Sequence, residues 1–201
     1  MLSPYADKMA VFGLFSKLSP EVLLNLLLFV RFRFPVWHVF ATTKNRLYKT
    51  IAYQMAANLE VDQYIEIGAG LGDISHRLKN SLLLDNDQRV LRAAKIKHSQ
   101  VRYEIFDFKN SSYDILNLNN YKRLCLIAVN VIQPEEWANF LGKLELYRGE
   151  LFVIADVISD NCPDPINYPW IPKIIEMKNY SCVDKVYAKD SVRDITLMKR
   201  I

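Results

Sequence analysis

The 201-residue sequence is poor in the residues that build staples and metal sites, with three cysteines and three histidines. Cys125, Cys162 and Cys182 are an odd number at wide spacings without a Cys-x-x-Cys pair, which excludes a disulfide scaffold. Cys125 lies inside the apolar run 124–129 and reads as a buried, inert thiol. His38, His76 and His98 stand far apart, so no His/Cys ligand cluster can be drawn and no metal is expected. The sequence also lacks the run of about 20 apolar residues that a membrane span needs. Its most apolar stretch, 22–30, contains Asn25 and runs into Arg31, Arg33 and Pro35. Asp7 and Lys8 come early and no small-residue cleavage pattern follows, so no secretory signal is read. The expectation is a cytoplasmic protein, with association to a membrane surface left open. No 20–50-residue repeat is present, which excludes solenoids.

Acid is scarce in one quarter of the chain only. Residues 1–50 hold seven basic residues against Asp7 and Glu21, while the remainder holds 19 basic and 20 acidic residues. The overall charge of +4 therefore belongs to the N-terminal quarter. A nucleic-acid binder usually spreads basic charge over its main domain, so this asymmetry disfavours nucleic acid without excluding it.

Ser19-Pro20-Glu21 is a helix start, with Ser at the N-cap and Pro at the first helical position. The helix that follows is apolar nearly all round, apart from a narrow stripe through Lys17, Glu21 and Asn25, and must be covered by something. A second helix is expected over 44–59. Beyond residue 61 the texture changes to short apolar runs at 63–67, 82–84, 101–105, 124–129 and 151–154. Helical stretches are expected between them at 71–79, 87–97, 135–147 and 170–179. Such runs suit strands buried on both faces of a parallel sheet. Residues 181–188 and 194–199 are separated by too few residues for a crossover, so they should pair as an antiparallel hairpin. The expected architecture is a doubly wound α/β domain over 61–201 behind a helical segment over 1–60.

The strongest motif is Glu66-Ile67-Gly68-Ala69-Gly70-Leu71-Gly72, which follows an expected strand. Glycines let the backbone turn sharply and approach a ligand, and a helix N-terminus beyond them would offer free N–H groups. The spacing is neither the dinucleotide G-x-G-x-x-G nor the phosphate-binding G-x-x-x-x-G-K-[ST]. Glu66 would repel a pyrophosphate but attract a cationic amino group. Asp85 ends the next strand, where a carboxylate is suited to accept from both ribose hydroxyls. Asp107 and Phe108 end the third, an acid for an exocyclic amine beside a ring that can cover a purine.

In this order these residues resemble the class I S-adenosylmethionine-dependent methyltransferases. The resemblance covers about residues 61–201 and rests on the Gly-rich motif, on the acid-and-helix stretch 85–95, on Asp107-Phe108 and on the terminal hairpin. It implies a mostly parallel seven-stranded sheet and S-adenosylmethionine as cofactor, with S-adenosylhomocysteine as product. It places Glu66, Gly68, Ala69, Gly70 and Gly72 around the methionine part, and Asp85 at the ribose with Asn86 beside the adenine. Asp107 and Phe108 would flank the adenine, and Asn130 would face the transferable methyl. Asn130-Val131-Ile132-Gln133 departs from the family's amino-methylating N-P-P-Y pattern, which argues against adenine or cytosine as acceptor.

A sulfonium methyl is already activated, so the protein chiefly aligns the acceptor and excludes water. The cofactor motif therefore names no base, and His38, His76, Gln133 and Asp156 remain the candidates. The Pro-rich stretch 160–172, with Tyr168 and Trp170, and the N-terminal helices are the expected pocket wall. The preferred acceptor is an oxygen or nitrogen of a small molecule, such as a sugar or secondary metabolite. An RNA or protein methyltransferase, and a non-catalytic binding protein, stay open. Residues 19–40 are left as a lid, a contact with a second copy or a membrane contact.

Overall fold

A computed structural model describes residues 19–162, 168, 171, 179–189 and 192–201. Each apolar run forms a strand: β1 (Gln63–Ile67), β2 (Ser81–Asp85), β3 (Arg102–Ile105), β4 (Arg123–Ala128) and β5 (Glu150–Ile158). The hairpin strands are β6 (Tyr180–Ala188) and β7 (Arg193–Arg200). Together they make one seven-stranded sheet in the order β3-β2-β1-β4-β5-β7-β6. The first five strands are parallel, with Ile65 level with Leu82 on one side and Leu126 on the other. β7 runs antiparallel between β5 and β6, so the second strand of the hairpin is the one that joins the sheet.

The helices are α1 (Pro20–Phe32), α2 (Trp37–Phe40), α3 (Leu47–Ala57), α4 (Gln88–Lys97) and α5 (Trp137–Gly142). Alternation along the strands supplies two buried faces. Ile65, Leu82, Leu84, Leu126 and Val153 pack under Tyr113, Trp137 and Phe140 on one face. Tyr64, Cys125, Ile127, Ile154 and Ile195 pack under Ile51, Ala52 and Met55 of α3 on the other. Cys125 is fully buried, and burial pushes its thiol pKa up.

α1 begins where the sequence indicates, with the Ser19 hydroxyl accepting from Val22 N at 3.3 Å. It packs through Val22 and Leu28 on Val90 and Ala93 of α4 and on Leu71. Two expected helices are altered. Over 71–79 there is no α-helix, only turns and a short 3₁₀ segment at Ser75–Arg77. Gly72, with φ of +77°, breaks the helix at its start, and a Cβ there would strike the Leu83 side chain. The stretch 135–147 shortens to a 3₁₀ turn and α5. The expected helix over 170–179 and most of the Pro-rich stretch, including Trp170, lie outside the described residues. No helix among the described residues is long and apolar enough to cross a membrane.

Candidate functional site

The C-terminal ends of β1, β2 and β4 converge on the Gly-rich loop, the edge where parallel α/β sheets take ligands. Gly68 and Gly70 have φ of +63° and +58°, a conformation that other residues adopt at a cost. Glu66 is buried, and its carboxylate accepts from the backbone N of Ser75 at 3.1 Å and from the Ser75 hydroxyl. That contact folds the loop back over β1. Burial raises the Glu66 pKa to about 7, against the pull of Ser75 and Lys49.

Asp85, at the tip of β2, is buried and, among the described residues, accepts hydrogen bonds from backbone donors alone. One oxygen accepts from Gly70 N and the other from Asp87 N, each at 2.9 Å. No Lys or Arg among the described residues forms an ion pair with it. Burial pushes its pKa up, and the backbone hydrogen bonds offset this only in part. Asn86 beside it is exposed. Asp107, after β3, closes its own turn by accepting from Lys109 N and the Asn110 side chain at 2.9 and 2.8 Å. The half-buried Phe108 ring borders a cleft of about 220 Å³ shared with Asn139 and Phe140.

Asp156, one of the residues considered for proton transfer, comes together with Asn130. Asp156 accepts from Asn130 N at 2.7 Å and from the Arg193 guanidinium at 2.8 Å. Arg193 also donates to the Asn130 side-chain oxygen at 2.7 Å, and its guanidinium lies 5.0 Å from the centre of the Tyr48 ring. Asp156 therefore acts as a strut that holds Asn130 at φ of +60°. Gln133 caps the 3₁₀ turn Pro134–Glu136.

The three histidines gather around the Gly-rich loop. A Cβ on Gly70 would stand 2.9 Å from His38 Nδ1, so the α2 histidine roofs this glycine. Burial lowers the His38 pKa to about 4, with Lys49 adding to the effect, so the ring is neutral at pH 7. His76 is half-buried, stacks on His98 at 3.9 Å and holds Gly72 O at 2.8 Å through Nδ1. From the 3₁₀ segment it links the loop to His98 at the end of α4.

Sequence reasoning missed the ionic tie beneath the loop. Asp73 is buried and meets Lys49 at 2.9 Å and Lys97 at 2.6 Å, and Lys97 reaches Glu21 at 2.9 Å. Lys49 also donates to Ala41 O. One carboxylate thus joins α1, α2, α3 and α4 to the Gly-rich loop. No pattern marks these partners, since Lys49 and Lys97 stand 24 residues on either side of Asp73. Arg193, at the start of β7, was equally unmarked.

No protein-family model matches the sequence, and no curated protein resembles it closely enough in sequence to count as a relative. Solved structures share its architecture. The chain is similar to a candidate O-methyltransferase from Nostoc punctiforme, with a TM-score of 0.59 at 14% identity over 90% of this chain and 72% of that one. It is also similar to an S-adenosylmethionine-dependent methyltransferase from Anabaena variabilis, with a TM-score of 0.56 at 13% identity over 90% and 93% of the two chains. Mitomycin 7-O-methyltransferase matches with a TM-score of 0.54 at 12% identity over 83% of this chain, which spans 57% of that protein's length. Likeness at this identity is a likeness of fold. The chain has the class I, Rossmann-like fold of the S-adenosylmethionine-dependent methyltransferases.

Proposed function

We propose that the protein binds S-adenosylmethionine and transfers its methyl group to an oxygen or nitrogen of a small molecule. The observation that carries this reading is the Asp85 carboxylate, buried at the strand tip and held by backbone amides alone. A buried carboxylate without a cation gains most from neutral hydrogen-bond donors, and a ribose diol presents two. The donor set therefore fits the cofactor. Asp85 would hold the ribose, and Asn86, Asp107 and Phe108 would border the adenine. Glu66, Gly68, Ala69, Gly70 and Gly72 would form the floor under the methionine part.

When bound, S-adenosylmethionine supplies a methyl group on a sulfonium that needs no further activation. The chain's residues then orient and enclose. Val131 packs against Gly68 and His38 covers Gly70, so α2 and the β4–α5 loop roof the methionine end and keep water out. Arg193 and Asp156 fix Asn130 at the tip of β4, where it would border the acceptor. A roofed site supports a small acceptor over a polymer, and the small-molecule acceptor named for mitomycin 7-O-methyltransferase agrees with that. Neutral His38, which covers Gly70, could take a proton, as its pKa of about 4 leaves it unprotonated at pH 7.

Calorimetric titration with S-adenosylmethionine and S-adenosylhomocysteine tests the reading. Saturable binding of both is expected, and no heat at millimolar ligand would sink it.

A further inference from the structure

α1 is turned inside out with respect to its one polar stripe. Asn25 is fully buried, and its amide donates to Val39 O at 3.1 Å. Glu21 is drawn to Lys97. The opposite side of the helix presents leucine and valine to solvent: Leu27 is 69% exposed, Val30 55% and Leu23 48%, with Leu24 and Leu26 flanking them. Positions 23, 27 and 30 form one line along the helix, and no acid stands on that side. A solvated helix face ordinarily carries Lys and Glu there.

The rim of this face is cationic. Arg31 and Arg33 are exposed at its C-terminal end, and Trp37, 61% exposed, follows. α4 packs beside α1 and adds exposed Arg89, Arg92 and Lys95. Arg89 donates to Arg33 O at 3.1 Å, which brings the two arginines together. The acid that caps α4, Asp87, is taken up by Arg89 at 2.7 Å.

We propose that this face, with Leu23, Leu27 and Val30 at its centre and Arg31, Arg33 and Trp37 at its end, docks on an anionic phospholipid bilayer. Charge complementarity selects the occupant. A second copy meeting the same face would bury the leucines but bring no acid to the arginines, because the face has none. An anionic bilayer supplies both partners, acyl chains for the leucines and phosphates for the arginines. The indole of Trp37 suits the boundary between them. At 13 residues α1 is about 20 Å long, which lets it lie in the interface but not cross it.

Vesicle co-sedimentation of the full chain tests this. Binding is expected to mixed phosphatidylcholine–phosphatidylglycerol vesicles and to be about tenfold weaker to pure phosphatidylcholine, with loss at high salt. Leu27→Glu changes an exposed side chain and should leave the thermal midpoint unchanged while weakening vesicle binding about tenfold or more. Arg31→Glu with Arg33→Glu should weaken binding to the mixed vesicles and leave the weak binding to pure phosphatidylcholine as it was. Three outcomes overturn the proposal. They are no binding by the wild type, equal binding by Leu27→Glu, or a dimer in sedimentation velocity that Leu27→Glu dissolves while vesicles are ignored.

Discussion

Asp73 and Asp85 are both buried carboxylates on the Gly-rich loop side of the sheet, and they live in opposite electrostatic settings. Asp73 is clamped between two lysine ammonium groups, which override burial and hold its pKa well below the usual carboxylate range. Asp85, among the described residues, is hydrogen-bonded by backbone amides alone, and burial pushes its pKa up. A carboxylate whose charge is matched inside the protein has little left for a ligand. One whose charge is poorly matched is a cost to the free protein that a ligand can relieve. The difference separates the residue that assembles the loop from the residue proposed to hold the ribose.

The largest effect should come from Asp73→Asn, which leaves buried Lys49 without its carboxylate partner and Lys97 with Glu21 alone. A loss of about 3–5 kcal/mol is expected in urea unfolding at pH 7. Because the folded pKa of Asp73 is depressed, its contribution is present above the ordinary value of about 3.9 and fades as pH falls below it. The gap between wild type and variant should therefore narrow under acid. A variant as stable as wild type would erase the distinction between the two aspartates.

Glu66 lies between the two cases and gives the next effect. Its folded pKa of about 7 is raised above the ordinary 4.5, so wild type should lose stability as pH rises through that window. Glu66→Gln should remove this slope and be more stable above pH 7, by on the order of 3 kcal/mol at about 1.4 kcal/mol per pH unit. Denaturant melts of both proteins from pH 4 to pH 8 would show parallel curves if Glu66 did not titrate in this range.

Asp85→Asn should produce the smallest change in the free protein, within about 1 kcal/mol and towards greater stability at neutral pH. Its effect should appear with ligand present. S-adenosylmethionine should raise the wild-type thermal midpoint and leave that of the variant unmoved. A variant that melts early without ligand, as Asp73→Asn should, would place Asp85 among the structural carboxylates.

How far the sequence reaches depends on which interactions are local. The strands, the glycines and the terminal hairpin are legible because apolar runs, positive-φ turns and short connections are local signals. The missing helix over 71–79 shows the limit. Leu71, Ile74 and Leu78 have helical spacing and are buried, yet turns and one 3₁₀ segment bury them equally well once Gly72 breaks the helix. At the candidate site the proximity of Asp85 and Gly70 was legible, since β2 and the loop bring them together. The places of Asp73 and Arg193 were not legible, because their partners come from elements far away in sequence. The orientation of α1 was likewise hidden. A helix apolar on nearly every side gives periodicity no means to choose which leucines face in.

Asn25 makes that choice. A greasy cylinder in a greasy seat has many rotational settings of similar energy, and adjacent ones differ by a shuffle of near-equivalent leucines. The single hydrogen bond from the Asn25 amide to Val39 O is available in one setting only, and the Asn25 Oδ1 stays buried without a partner among the described residues as its cost. One asparagine thus indexes the helix like a key in a shaft, and it decides which leucines the solvent side receives.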